Sequence, residues 1–320
     1  MAGSSLKNRG HLVNIVGYLL TGASIFYLVD TVRKLGLASI KIEISLPLFL
    51  FLAVSVCAYS FVLFLLGFSW ELILEFISRK PIATKDIFPV FANSNMAKYL
   101  PGNVFQYAAR NFLGNRLGWK HSDIALSSLF EVILGVVISL LVLTILFFAG
   151  FLNVPGHWLA YIRAHGKILS SGVFIVIVSL CGFLVFGRDF ITRLDRFFSR
   201  KDFYVLFLKI SAIYISFFVV SGVMLALLYG FTGEVDLKSK DVAVIAGAFV
   251  LSYFAGYVVP GSPGGMGIRE AFLVLMLGPL YGTACTLAAS LIHRFIAMAG
   301  DVVIFLAGWL NRPGMKRTRK

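Results

Sequence analysis

Two arginines each stand nine residues after a proline in a Pro-Gly break within otherwise apolar sequence. Tyr99-Leu-Pro101-Gly102 leads to Arg110, and Tyr257-Val-Val-Pro260-Gly261 leads to Arg269. After each break a new helix is predicted, starting near Asn103 in one stretch and near Gly267 in the other. The first N–H groups of such a helix are unpaired and its dipole end is positive, a combination that favours an anion. An arginine a turn or two further along adds bidentate donors suited to phosphate. Gly264, Gly265 and Gly267 would let a second backbone or a ligand approach closely. This glycine run is not a phosphate loop or a dinucleotide fingerprint, both of which need a flanking soluble strand and helix. The expected anion contacts are therefore Tyr99, Gly102, Asn103 and Arg110 from the first break, with Gly264, Gly265, Gly267 and Arg269 from the second.

Four further charges lie in apolar surroundings. Glu131 sits about two turns into one apolar run, Glu270 follows Arg269, Arg294 falls near the middle of the last apolar run, and Asp301 comes seven residues later. Ser290, Arg294, Ala297 and Asp301 recur at helical spacing and form one small and polar stripe, which should face protein rather than lipid. A charge at the centre of a membrane helix costs about 2.5–3.5 kcal/mol on the insertion scale, so each needs a partner or a purpose. One purpose is a polar cavity for a charged headgroup. The alternative is an internal ion pair that fixes helix packing, for instance Arg294 with Asp301 or with Glu131. Lys209 is placed to snorkel to an interface, and His293, on another face, reads as a packed histidine.

No residues stand out as catalytic. Zinc-type His/Glu spacing, a nucleophile elbow and an acid/base carboxylate pair are all missing from the sequence, so no metal or cofactor is expected. A membrane-embedded transferase, or an accessory subunit of envelope lipid or glycan synthesis, would have to use Glu131 or Asp301 as its base. Cys57, Cys181 and Cys285 each lie in a different apolar run and show no ligand or disulfide spacing.

The elements that must position these residues are membrane helices. The chain is 59% hydrophobic and only 14% charged over 320 residues, against about 45–50% and about 25% in ordinary soluble domains. Six segments have the roughly 20 apolar residues that a span requires: 12–29, 46–70, 124–152, 168–187, 205–230 and 283–310. The first follows a short basic tail and reads as an uncleaved span. Two more apolar stretches, 87–117 and 242–281, are interrupted by Pro and Gly, and are expected to be re-entrant hairpins lining a cavity. The segment 71–86 (Glu71, Glu75, Arg79, Lys80) reads as a solvated or interfacial helix.

The net charge of +14 does not indicate nucleic acid, because Lys and Arg follow the positive-inside rule. With a cytoplasmic N-terminus, nineteen fall in cytoplasmic segments and seven in exterior loops. Both termini are then cytoplasmic, in the inner or plasma membrane. Residues 1–153 read span, span, broken hairpin, span from inside; residues 154–320 repeat that series from outside. The expected fold is thus an all-α polytopic membrane protein of about six spans and two broken hairpins, arranged as an inverted repeat, an arrangement used by transporters. A carrier for a small polar solute would share this plan.

Lys98-Tyr-Leu-Pro-Gly102 with Arg110, Glu131 in the next span, Pro263-Gly-Gly-Met-Gly-Ile-Arg269-Glu270 and Arg294 downstream resemble the lysylphosphatidylglycerol synthase transmembrane (flippase-like) family. That family includes the lipid-flipping domain of the multiple peptide resistance factor. The resemblance covers nearly the whole chain, and its most specific part is the Pro263–Glu270 stretch. It implies translocation of an anionic lipid, a lipid-linked glycan or a glycolipid between leaflets, with the lipid as partner and envelope-biosynthesis enzymes as possible associates. The chain ends ten residues beyond its last expected span, so the soluble aminoacyl-transferase part of the resistance factor is not expected, nor is synthesis of lysyl-lipid.

Overall fold

Leu46–Ser78 forms a helix of 33 residues, α1, and sets the pattern for the others. Pro47 stands in its first turn, where a missing N–H costs nothing, and the helix ends where Arg79 turns left-handed. Phe49, Leu50, Val54 and Phe61 on α1 are exposed, while Trp70, Ile73 and Leu74 are fully buried. A helix that is apolar on its exposed side as well as its buried side belongs in lipid.

The computed structural model describes residues 45–100, 104–151, 201–231, 237–259 and 262–311. Every regular element among them is helical. After α1 come α2 (Thr84–Asn95), a short 3-10 turn (Met96–Tyr99), α3 (Phe105–Asn115) and α4 (His121–Phe148). Then follow α5 (Lys201–Gly230), α6 (Ser239–Val258), a second 3-10 turn (Pro263–Gly265), α7 (Ile268–Tyr281) and α8 (Thr283–Leu310). Five of these helices are long and apolar enough to cross a membrane: α1, α4, α5 from Asp202, α6 and α8. The chain divides into two compact units, Met1–Leu152 with Ala212–Lys320, and Asn153–Ser211. The described part of the second unit is the beginning of α5; everything below concerns the first.

Four of the expected spans coincide with α1, α4, α5 and α8, whereas 12–29 and 168–187 lie outside the described residues. Both broken stretches are broken where expected. The first is two short arms, α2 and α3, of 12 and 11 residues. In the second, the leading arm α6 has 20 residues and meets the length and composition of a full crossing, so it is longer than a half-crossing arm.

The segment 71–86, expected as a solvated or interfacial helix, is exposed at Arg79 and Lys80 but not at Glu71. Residues 71–78 continue α1, and Glu71 is only 5% exposed. Its Oε1 accepts the Thr84 hydroxyl at 2.7 Å, and Glu75 Oε1 accepts the Ile82 N–H at 2.7 Å. Both carboxylates thus bind groups at the turn into α2, while Glu71 Oε2 is buried without a hydrogen-bond partner.

Polarity is distributed inside out relative to a soluble domain. Arg110, Glu131, Glu270 and Asp301 are all buried, while Phe148 is 83% and Leu310 75% exposed. The packing brings the polar residues together. The last span, α8, packs against α1 and α2, and α4 packs against α1 and α6. Gly308 makes the close approach of α8 to α2 possible, since a Cβ there would come within 2.5 Å of that of Ala92. Trp70 ties α1 to α4 through a hydrogen bond from Nε1 to Ser127 Oγ at 2.9 Å. The two 3-10 turns touch each other, so the two breaks in the chain meet inside the protein.

Candidate functional site

Three polar clusters converge where the breaks meet. The first is built around Asp301 on α8, which is 1% exposed. It accepts hydrogen bonds from Asn95 Nδ2 at 2.8 Å, from Lys98 Nζ at 2.7 Å, and from the Tyr99 hydroxyl. All three donors come from the end of α2 and its 3-10 turn. Their spacing of i, i+3 and i+4 puts them on one helical face.

The second cluster is the pair of Arg110 on α3 and Glu131 on α4, joined by a hydrogen bond from Arg110 Nη1. Arg110 is 2% exposed. Its guanidinium carbon lies 4.5 Å from the Trp70 ring centroid and 5.0 Å from that of Phe91, within cation–π range. The carboxylate and the two rings hold this guanidinium, and its Nε, like those of Arg269 and Arg294, is buried without a hydrogen-bond partner.

The third cluster differs. Arg294 on α8 donates from Nη1 to the Gly264 carbonyl at 2.9 Å. Arg269 on α7 lies over Tyr253, its guanidinium carbon 4.4 Å from the ring centroid. Neither pairs with a carboxylate among the described residues. Arg269 Nε, Arg294 Nε and Arg294 Nη2 are buried without a hydrogen-bond partner. The glycine run explains how two guanidinium groups fit so close to backbone. Gly264 and Gly265 are left-handed, with φ of 55° and 74°, and a Cβ on Gly265 would stand 2.5 Å from Arg269 Nε.

These clusters line one cavity of about 90 Å³, together with the aromatic residues Tyr59, Tyr107, Tyr253 and Tyr257. That is room for several water molecules. Its lining carries four cations, Lys98, Arg110, Arg269 and Arg294, against two carboxylates, Glu131 and Asp301. Each carboxylate is matched to a cation, so the excess of two positive charges resides on Arg269 and Arg294.

The expected site residues fall into place unevenly. Tyr99, Arg110, Glu131, Gly264, Arg269, Arg294 and Asp301 do meet at this cavity. The second new helix starts at Gly267 as expected, but Glu270 takes part of its anion-binding capacity: its carboxylate accepts the Gly267 N–H at 2.8 Å and caps α7. Gly102 and Asn103 lie outside the described residues. The Ser290–Asp301 stripe does face the interior: Ser290 and Asp301 are buried, and Arg294 and Ala297 line the cavity. The ion pairs considered for Arg294 do not form; Asp301 takes Lys98 and Glu131 takes Arg110. His293 packs edge-on to Tyr59 and Phe249, as a packed histidine does.

Sequence reasoning missed Asn95 and Lys98 as partners of Asp301, and the tyrosine wall. Both left a trace. Asn95, Lys98 and Tyr99 share a helical face, and Tyr253 and Tyr257 sit four residues apart and stack with ring centroids 5.8 Å apart.

Compared with known families, residues 14–307 match the family described as the lysylphosphatidylglycerol synthase TM region. The match covers most of the chain, which therefore belongs to that family. No curated protein matches it.

Proposed function

We propose that this member of the lysylphosphatidylglycerol synthase TM family is a flippase-like translocase that moves an anionic lipid, a lipid-linked glycan or a glycolipid between leaflets. Family membership supports a flippase-like role at membrane lipids in general. The observation that carries the reading further is the pair of unneutralised guanidinium groups, Arg269 and Arg294, in an interior cavity walled by helices with apolar outer faces. A lipid crosses slowly because its charged headgroup must leave water. An interior site with unmatched cations lowers that cost for an anion.

In this reading the chain is an inverted repeat, with the site where the two broken hairpins meet. The reciprocal packing of the halves supports it: α8 of the second packs on α2 of the first hairpin, and α4 of the first packs on α6 of the second. Both termini are cytoplasmic in this proposal, and the protein sits in the cytoplasmic membrane, where enzymes of envelope synthesis would supply its substrate. Arg269 and Arg294 contact the anion. Arg110, already neutralised by Glu131, fixes α3 against α4 and shapes the wall. The cavity moves its cargo without changing it chemically.

Purified protein in liposomes tests this. With phosphatidylglycerol carrying a fluorophore on one acyl chain, a membrane-impermeant reductant should bleach the outer leaflet at once. The inner pool should then bleach faster than in empty liposomes. Bleaching at the empty-liposome rate, for this lipid and for a polyprenyl phosphate, would overturn the proposal. A chemically altered lipid recovered from the vesicles would instead favour the transferase.

A further inference from the structure

The cavity must also balance its charge when no lipid is bound; this step rests on the translocase reading. Arg269 is held by packing rather than by an ion pair. Its stem runs between Gly256 on α6 and Gly265, where a Cβ would stand 2.6 Å from its Cγ and 2.5 Å from its Nε respectively. Its guanidinium lies on the Tyr253 ring, and it pairs with no carboxylate among the described residues. Arg294 donates from Nη1 to a backbone carbonyl, while its Nε and Nη2 find no acceptor. Charged donors fixed in place without a counter-charge are preorganised for an anion that the protein does not itself supply.

The size of the surplus says which anion. Lys98, Arg110, Arg269 and Arg294 line the cavity with Glu131 and Asp301. A smaller cavity of about 20 Å³ adjoins it, since Tyr59, Arg269, Arg294 and Ala297 line both. Glu270 lines the smaller one. Counting its carboxylate sets four cations against three anions and leaves one positive charge in excess. Water solvates such a charge without neutralising it, and a buried charge left unpaired is costly. The main cavity, about 90 Å³, has room for a small ion beside water.

We propose that Arg269 and Arg294 bind one free, singly charged inorganic anion of the class of chloride when the lipid phosphate is absent, and that the two compete for the same donors. A phosphodiester and a chloride each bring the one negative charge that the surplus calls for. The lipid then crosses in one direction and the small anion in the other, so the site changes sides without an unpaired charge either way.

Equilibrium dialysis of radiolabelled chloride against the purified protein, in detergent and gluconate buffer, tests the site. Binding should saturate at about one chloride per chain, the single charge in excess, and should fall as phosphatidylglycerol is added. Arg269→Gln and Arg294→Gln should each weaken it at least about tenfold, as expected when a charged contact is removed. Leaflet exchange tests its use, in phosphatidylcholine vesicles with a trace of acyl-labelled phosphatidylglycerol and albumin to extract the label from the outer leaflet. Replacing chloride by gluconate should slow exchange at least about tenfold, because the site must then return with its charge unpaired. Absence of saturable chloride binding overturns the proposal whatever the exchange rate. Binding that phosphatidylglycerol does not displace, or that both variants retain, overturns its assignment to these arginines. Exchange unchanged in gluconate overturns the counter-movement. If chloride binds as expected and no exchange occurs in either salt, the translocase reading fails and the anion site stands.

Discussion

The two broken hairpins share a plan and differ in electrostatic state. Each breaks at Pro-Gly and resumes as a helix carrying an arginine nine residues after the proline, and their turns touch. In the first, Arg110 is neutralised by Glu131 and covered by Trp70 and Phe91. In the second, Arg269 rests on Tyr253 and Arg294 beside it meets a backbone carbonyl, and neither has a carboxylate partner among the described residues. A buried charge with its counter-ion contributes to holding the structure; a buried charge without one is costly and is retained where something else supplies the missing charge. On the proposed reading, Arg110 belongs to the frame and Arg269 to the site, although in sequence they look alike.

The largest effect should come from separating the first pair. Glu131→Ala leaves Arg110 buried and uncompensated, which costs about 3–5 kcal/mol. Thermal unfolding in detergent, at fixed lipid content, should show it as a strongly lowered midpoint. An unchanged midpoint would mean that Arg110 finds another partner and that the two hairpins are less different than they look.

Next in size is Asp301→Ala, which strands Lys98 and unpairs Asn95 and Tyr99 at the junction of the hairpins. The expected loss is about 2–3 kcal/mol by the same assay. Lys98 keeps some access to solvent, its side chain being 18% exposed, so this loss should be smaller than that of Glu131→Ala.

Gly265→Ala probes the second hairpin. It adds a Cβ at φ 74° and 2.5 Å from Arg269 Nε, for a cost of about 1–2 kcal/mol. Because it also displaces Arg269, transport should fall more than stability does. Equal losses in both would count against Arg269 as a contact of the cargo. The smallest effect is that of Trp70→Phe, which removes the hydrogen bond to Ser127 for about 0.5–1.5 kcal/mol and should leave transport nearly intact.

Much of the architecture was legible in the sequence because membrane helices announce themselves by length and apolarity. α8 begins and ends where its apolar run does, at 283 and 310. Pro and Gly marked both breaks, and helical spacing marked the Ser290–Asp301 stripe as inward-facing. Partner choice was not legible. Asp301 pairs with Lys98 and Asn95 across 203 and 206 residues, and no local spacing encodes which distant cation meets which carboxylate. For the same reason Arg110 and Arg269 appeared equivalent: the feature that separates them is Glu131, brought to α3 by the packing of α4. The length of α6 was obscured because its apolar run continues through the break into α7. Glu71 was misread because its burial depends on a hydroxyl, Thr84, that arrives only when the chain turns back.

The central proposal is that the neutralised arginine is frame and the unneutralised one is site. The most direct measurement is the leaflet-exchange rate of labelled phosphatidylglycerol for two variants that both fold: the double replacement Arg110→Met with Glu131→Leu, which exchanges the buried pair for apolar groups at little cost in stability, and Arg269→Gln. The double variant should keep its rate within about twofold, while Arg269→Gln should lose at least about tenfold, as expected for a charged contact left unmade. Retained exchange in Arg269→Gln, with exchange lost in the folded double variant, would contradict the account and return Arg110 to the centre of the site.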